Sequence, residues 1–154
     1  MLFLLGGKGM NFEAYIDSTR IFISDVASEL GTPQDIDRAF RVTRAVFAAL
    51  RERLTKEESF DLISQLPFLL KALYIDGWNP SRQKVAEGRH ISDFVATVRQ
   101  ADMRSMSKDF GNDHSAQTSI EAVFRVLKQK ISNGEVAHIA GGFPKELKSF
   151  WLNA

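Results

Sequence analysis

Cysteine is absent from this 154-residue chain, which excludes disulfides, thiolate nucleophiles and cysteine-ligated zinc, and suits a reducing compartment. Histidine is nearly absent. His90, His114 and His138 stand alone, without the His-x-x-x-His or Glu-x-x-His spacing that brings two ligands to one helix face. No Gly-x-Ser-x-Gly elbow, no phosphate-binding Gly-x-x-x-x-Gly-Lys-Ser/Thr and no Gly-x-Gly-x-x-Gly after a strand occurs. Gly6-Gly7-Lys8-Gly9 has phosphate-friendly residues but no strand and helix to hold them. Long apolar runs are missing too: the first stops after Leu5, shorter than a signal-peptide core or a membrane span. Charge of one sign is also lacking, with 20 basic against 19 acidic residues, so no global field draws nucleic acid or an anionic membrane. These absences lead us to expect no metal, no cofactor, no catalytic residue and a cytoplasmic location.

What is present is a repetition. Ala45-Val46-Phe47-Ala48-Ala49-Leu50-Arg51 returns as Ala122-Val123-Phe124-Arg125-Val126-Leu127-Lys128, an offset of 77 residues that continues without a gap to Tyr74 and Trp151. Glu58 meets Glu135, Pro67 meets Pro144 and Lys71 meets Lys148 along it. A period this long marks a duplicated supersecondary unit. The expected organisation is a tail over residues 1–10, repeat one over 11–80, a connector over 81–89 and repeat two over 90–154, all in one compact domain.

Within each repeat the periodicity is helical. Phe12, Tyr15, Ile16, Phe22, Ile23, Val26, Ala27 and Leu30 fall on one stripe, with Asn11 to cap it and Gly31 to end it. Thr32-Pro33 reads as the N-cap and first position of a second helix that runs to about Arg53. Its apolar side is Ile36, Phe40, Val46, Phe47, Leu50 and Leu54. Thr55 to Glu58 is a capping box, and Ser132 to Glu135 repeats it. Pro67 and Pro144 each start a final helix. In the second repeat Ile91, Phe94, Val95 and Val98 align with Ile23, Val26, Ala27 and Leu30 at an offset of 68, which leaves nine extra residues within Gln100–His114. Period-two runs of β-branched residues are missing. The predicted fold is all-α, a bundle of two pseudo-repeated four-helix units with about eight helices.

These motifs resemble a bacterial family known as domain of unknown function 2267. The resemblance lies in Met10-Asn11-Phe12, the Ala-Val-Phe-x-x-Leu-Arg helix, Gln65-Leu66-Pro67-x-x-Leu70 and Tyr74-x-x-Gly77-Trp78-x-Pro80. It extends to Phe143-Pro144-x-x-Leu147-x-x-x-Trp151, so it covers nearly the whole chain from Met10. It implies a two-copy helical bundle of bacterial, cytoplasmic origin, and it supplies no catalytic residues. The sequence departs from the pattern in the insertion and in Gly141-Gly142, where the first copy has Ser64-Gln65.

Three sets of residues are candidates for function. Arg38, Arg41 and Arg44, joined by Arg51, form a basic strip suited to phosphates, although the matching second-copy positions are Ser115, Thr118 and Glu121. Asp35, Asp37 and Glu52 lie close enough to pair with that strip along the helix. Tyr74, Trp78 and Trp151 end the repeats, where aromatic rings with a polar edge either pack between copies or line a groove. Met103, Met106 and Phe110 in the insertion offer an adaptable partner surface or the lid of a small core. The twelve phenylalanines read as core. The chain therefore reads as a non-enzymatic protein-interaction module that binds a protein partner or itself. Its alternatives are a nucleic-acid binder using the arginine strip and a small-ligand binder with a pocket between repeats.

Overall fold

Asn11 begins the folded chain by accepting the backbone N–H of Ala14 on its side-chain oxygen, which satisfies one orphan donor of the first helix. A computed structural model describes residues 11–154; the expected tail, with Gly6-Gly7-Lys8-Gly9, lies outside the described residues. Nine α-helices follow, with two 3-10 turns and no strand among the described residues. They are α1 (Phe12–Glu29), α2 (Ile36–Arg53), α3 (Lys56–Gln65), α4 (Phe68–Ile75), α5 (Ile91–Ala101), α6 (Met106–Asp109), α7 (Asp113–Lys130), α8 (Asn133–Gly142) and α9 (Lys145–Asn153). The 3-10 turns are Pro80–Arg82 and Met103–Ser105. No described helix is long and apolar enough to cross a membrane.

The core is one continuous cluster. Helix α2 lies at its centre and packs chiefly on α5 and α1, and also on α4 and α7. Ala39, Val42, Ala45, Val46, Phe47, Ala49 and Leu50 of α2 are buried, as are Ala116, Ile120, Ala122, Val123, Phe124, Val126 and Leu127 of α7. The small residues let the backbones approach, while Phe47 and Phe124 fill the remaining volume. The final helices add Leu70 and Tyr74 from α4 and Leu147 and Trp151 from α9. Tyr74 sits 5.5 Å from Phe47 and Trp151 sits 4.9 Å from Phe124, ring centre to ring centre. Each end-of-helix aromatic satisfies its polar atom. Tyr74 Oη bonds Ser59 Oγ at 2.8 Å, and Trp151 Nε1 donates to Val136 O at 3.0 Å.

Several local expectations need correction. Asp35, not Thr32, caps α2: its carboxylate accepts the Arg38 N–H at 3.0 Å, while Thr32 O accepts Asp35 N in a preceding turn. A carboxylate also suits the positive end of the helix dipole. Pro67 and Pro144 occupy the N-cap positions of α4 and α9, one residue ahead of the helices they were expected to begin. The first capping box forms, with Glu58 N to Thr55 Oγ1 at 3.2 Å and Thr55 N to Glu58 Oε2 at 2.8 Å. The second forms only by half. Ser132 Oγ accepts Glu135 N at 3.1 Å, but Ser132 N donates to Gln65 Oε1 across the α3–α8 contact. Nor are all phenylalanines core. Phe12, Phe40, Phe60 and Phe68 are exposed, as is Ile36, because these positions lie where a helix stripe runs past the end or edge of the bundle.

Candidate interaction surface

The expected basic strip is largely engaged within the fold. Arg41 makes a bidentate pair with Asp109 of the insertion, Nε and Nη2 each 2.9 Å from a carboxylate oxygen. Arg38 donates to Thr32 Oγ1 at 3.1 Å. Arg51 caps the C-terminal end of α4, donating to Tyr74 O and Asp76 O at 2.9 and 2.8 Å. Burial lowers the Arg51 pKa, against the charges of Tyr74, Glu52 and Asp76. Arg44 remains exposed. Asp35, Asp37 and Glu52 make none of the expected pairs along the helix; the strip finds its partners across the fold instead.

The aromatic candidates divide. Tyr74 and Trp151 are wholly buried and build the core rather than a groove. Burial raises the Tyr74 pKa well above the ordinary phenol value. Trp78 is half-buried beside Tyr74 and Phe60, and its Nε1 donates to Gln83 Oε1 at 2.9 Å. Gln83 in turn donates to Arg51 O and Leu54 O, and Arg53 Nη1 reaches Gly88 O. Trp78 thus ties the connector onto the end of α2. Within the insertion Phe110 is fully buried, Met106 is half-buried and Met103 is 75% exposed. Phe110 anchors the segment, and of these three residues only the methionines reach the surface.

A shallow groove of about 620 Å³ runs between α5, α7 and α9 in the second half of the chain, over Ile91 and Phe150 with Gln117, Glu121, Ser149 and Asn153 around them. Glu146 on its rim is already committed, accepting from Ile91 N at 2.8 Å and lying 3.1 Å from His90 Nδ1. Those two bonds, that of Ile91 first, hold the Glu146 pKa down; the same carboxylate raises that of His90. Both groups are solvated, and the pair steadies the end of the connector. No cluster of three potential metal ligands occurs among the described residues.

The most distinctive exposed feature lies at the start of α1, outside the three candidate sets. Tyr15 of α1 stacks on Phe68 of α4, ring centres 4.6 Å apart. Around this stack Phe12 is 66%, Phe68 52% and Ile16 41% exposed, with Leu69 beside them. Phe12 and Ile16 continue the stripe of α1 that further along buries Phe22, Ile23, Val26 and Ala27. The first turns of α1 thus carry a core-type face beyond the core. The signal was the length of the stripe, which outruns the helices available to cover it. Contiguous apolar patches of this kind mark contact sites for other proteins.

An all-helical bundle with these caps and prolines defines a class rather than an activity. The family model for the uncharacterized conserved protein DUF2267 matches residues 19–150, and the chain belongs to that family. No curated protein matches the chain.

Proposed function

We propose that this protein is a non-enzymatic interaction module, built as two copies of one helical unit, that associates with a second copy of itself through the α1–α4 apolar face. The observation that carries the reading is the Tyr15–Phe68 stack flanked by exposed Phe12, Ile16 and Leu69. Such residues lose roughly 25 cal/mol for every Å² of apolar surface left in water, so covering them favours association.

The rim of the face is self-complementary. Glu13 and Arg20 flank Ile16 on one edge of α1. Two α1 helices laid antiparallel about Ile16 bring Glu13 of each copy opposite Arg20 of the other. A two-fold arrangement of this kind closes at the dimer.

Support for the two-copy plan comes from burial and bonding. Ala39, Ala45, Val46, Phe47, Ala49 and Leu50 share burial with the residues 77 positions later, as do Leu62, Leu66, Leu70 and Tyr74. The Ser59–Tyr74 and Val136–Trp151 bonds sit at the same offset. Helices α1 and α5, however, match better at an offset of 72 than of 68. Phe22, Ile23 and Val26 then meet Phe94, Val95 and Val98, and helix ends Glu29 and Ala101 coincide. The difference is about one helical turn, so either register places apolar residues on one stripe. The insertion shortens accordingly, from nine residues to five (77 − 72).

Sedimentation equilibrium tests the reading. Ile16→Asp and Phe68→Asp, both at exposed positions, weaken self-association at least tenfold while leaving the helical circular dichroism intact. Glu13→Arg weakens it, and adding Arg20→Glu restores it. Variants that associate as the wild type does refute the assigned face.

A further inference from the structure

The insertion hides two carboxylates that hydrophobic periodicity does not register. Asp109 is 2% and Asp102 4% exposed, so both are among the few charged residues within the core. Asp109 is well matched, with both oxygens on the Arg41 guanidinium. Burial works against its charge, but the Arg41 and Asp102 bonds outweigh this and hold its pKa down. Asp102 is not matched: no N–H or hydroxyl donor reaches either of its oxygens, although both are buried, and its carboxyl faces only that of Asp109. It also occupies the C-cap of α5, where the helix dipole disfavours negative charge. Two adjacent buried carboxylates bond one another only if one of them keeps a proton.

The surrounding charges fix the balance. From α2, Arg38, Arg41 and Arg44 act on the pair, and Asp35 acts on Arg41. From α5, Arg99 keeps a buried Nε without a partner and sends its Nη1 to Asp113 of α7, 3.1 Å away. Arg104 and Lys108 of the insertion are exposed. Burial comes first in raising the Asp102 pKa, followed by the bond and charge of Asp109, while Arg41 and Arg44 only partly offset them; the result is about 7.

We propose that residues 102–112 form a proton-held clasp on α2, in which Asp102 and Asp109 share one proton beneath Arg41 and loss of that proton releases the segment. The pivot is Met103, whose φ of 50° is a left-handed conformation that costs a residue with a Cβ. The anchor is Phe110, buried at the far end and seated between α6 and α7. Release turns a paired Arg41 into a free guanidinium beside Arg38 and Arg44, so the clasp governs access to the basic strip.

The sign follows from linkage. A released Asp102 titrates near the ordinary value of about 4, whereas the closed one keeps its proton to about 7. Closure is therefore fully favoured below about pH 4, weakens as pH rises between those values, and levels off above the upper one.

Backbone hydrogen exchange of residues 103–111 at pH 5.5 and 8, corrected for intrinsic base catalysis, tests this. Wild-type protein is expected to open roughly tenfold or more readily at the higher pH. Asp102→Asn, which keeps shape and donates without titrating, removes that dependence. A carboxyl-carbon titration of wild-type protein provides a second readout, with a midpoint near neutrality that the variant lacks. Equal opening at both pH values in the wild type, or the same pH dependence in Asp102→Asn, overturns the clasp.

Discussion

Gln65 Oε1 accepts the backbone N–H of Ser132 at 2.7 Å, and this contact explains why two helices with matching sequence signals are capped differently. In the first half Glu58 closes onto Thr55 N. It lies beside Gly142, where an added Cβ would fall 2.9 Å from Glu58 Oε1. In the second half Gln65, the residue 77 positions before Gly142, takes the amide that Glu135 would otherwise bind. Glu135 is left 7% exposed, with Oε1 buried and unpartnered.

Removing the intruding amide restores the symmetric cap. Gln65→Ala lets Glu135 reach Ser132 N, so the expected cost is below about 1 kcal/mol, one exposed hydrogen bond exchanged for another. The Glu135 carboxyl titration, followed by NMR, then falls toward the ordinary glutamate range. A midpoint that stays where it is contradicts the exchange.

Glu135 also gives a pH dependence with a definite sign. Burial raises its pKa, with Asp61 and Glu58 adding to the shift and His138 opposing it. A carboxyl raised in the folded state stabilises the fold fully below its unfolded value of about 4.3, and that stability is lost as pH rises through the folded value. Urea denaturation is expected to show Glu135→Gln gaining on the wild type between pH 4 and 7, by roughly 1 kcal/mol at neutrality. A constant difference across that range contradicts the assignment.

Tyr74→Phe keeps the ring against Phe47 and removes only the hydroxyl, leaving the buried Ser59 Oγ without its partner. The expected loss is about 1–2 kcal/mol. A combined Ser59→Ala, Tyr74→Phe variant recovers part of it, because no polar atom then stays stranded. The same denaturation series in both backgrounds decides between this and simple additivity.

Met103→Gly relieves the left-handed backbone at the start of the insertion. Glycine adopts that conformation without steric cost, and a gain of up to about 1 kcal/mol in thermal stability is expected. A loss of stability places the side chain, rather than the backbone, in control of the segment.

Which of these features were legible in the sequence follows from the range of the forces. Local signals read well: Asn11, Thr55 and Ser132 each accept the amide three residues on, and Pro67 and Pro144 stand at helix starts. Thr32 competed with Asp35, two capping residues three apart, and propensity alone does not rank them in context. The 77-residue offset was readable because the two sequence runs match without a gap, whereas helical periodicity alone tolerates a shift of about one turn between the segments of α1 and α5. Periodicity locates the apolar stripe of α1 but not the point where the bundle stops covering it, so the expectation that every phenylalanine is core fails at Phe12, and Ile16 on the same stripe is exposed. The Arg41–Asp109 pair joins residues 68 apart, and nothing local to either predicts the other.

Sedimentation equilibrium of the full chain, from about 1 to 200 µM, tests the self-association face most directly. The account predicts a reversible dimer that the Ile16→Asp variant abolishes and that the Glu13→Arg, Arg20→Glu exchange retains. A wild-type protein that remains monomeric throughout that range, or an Ile16→Asp variant that dimerises as before, contradicts it.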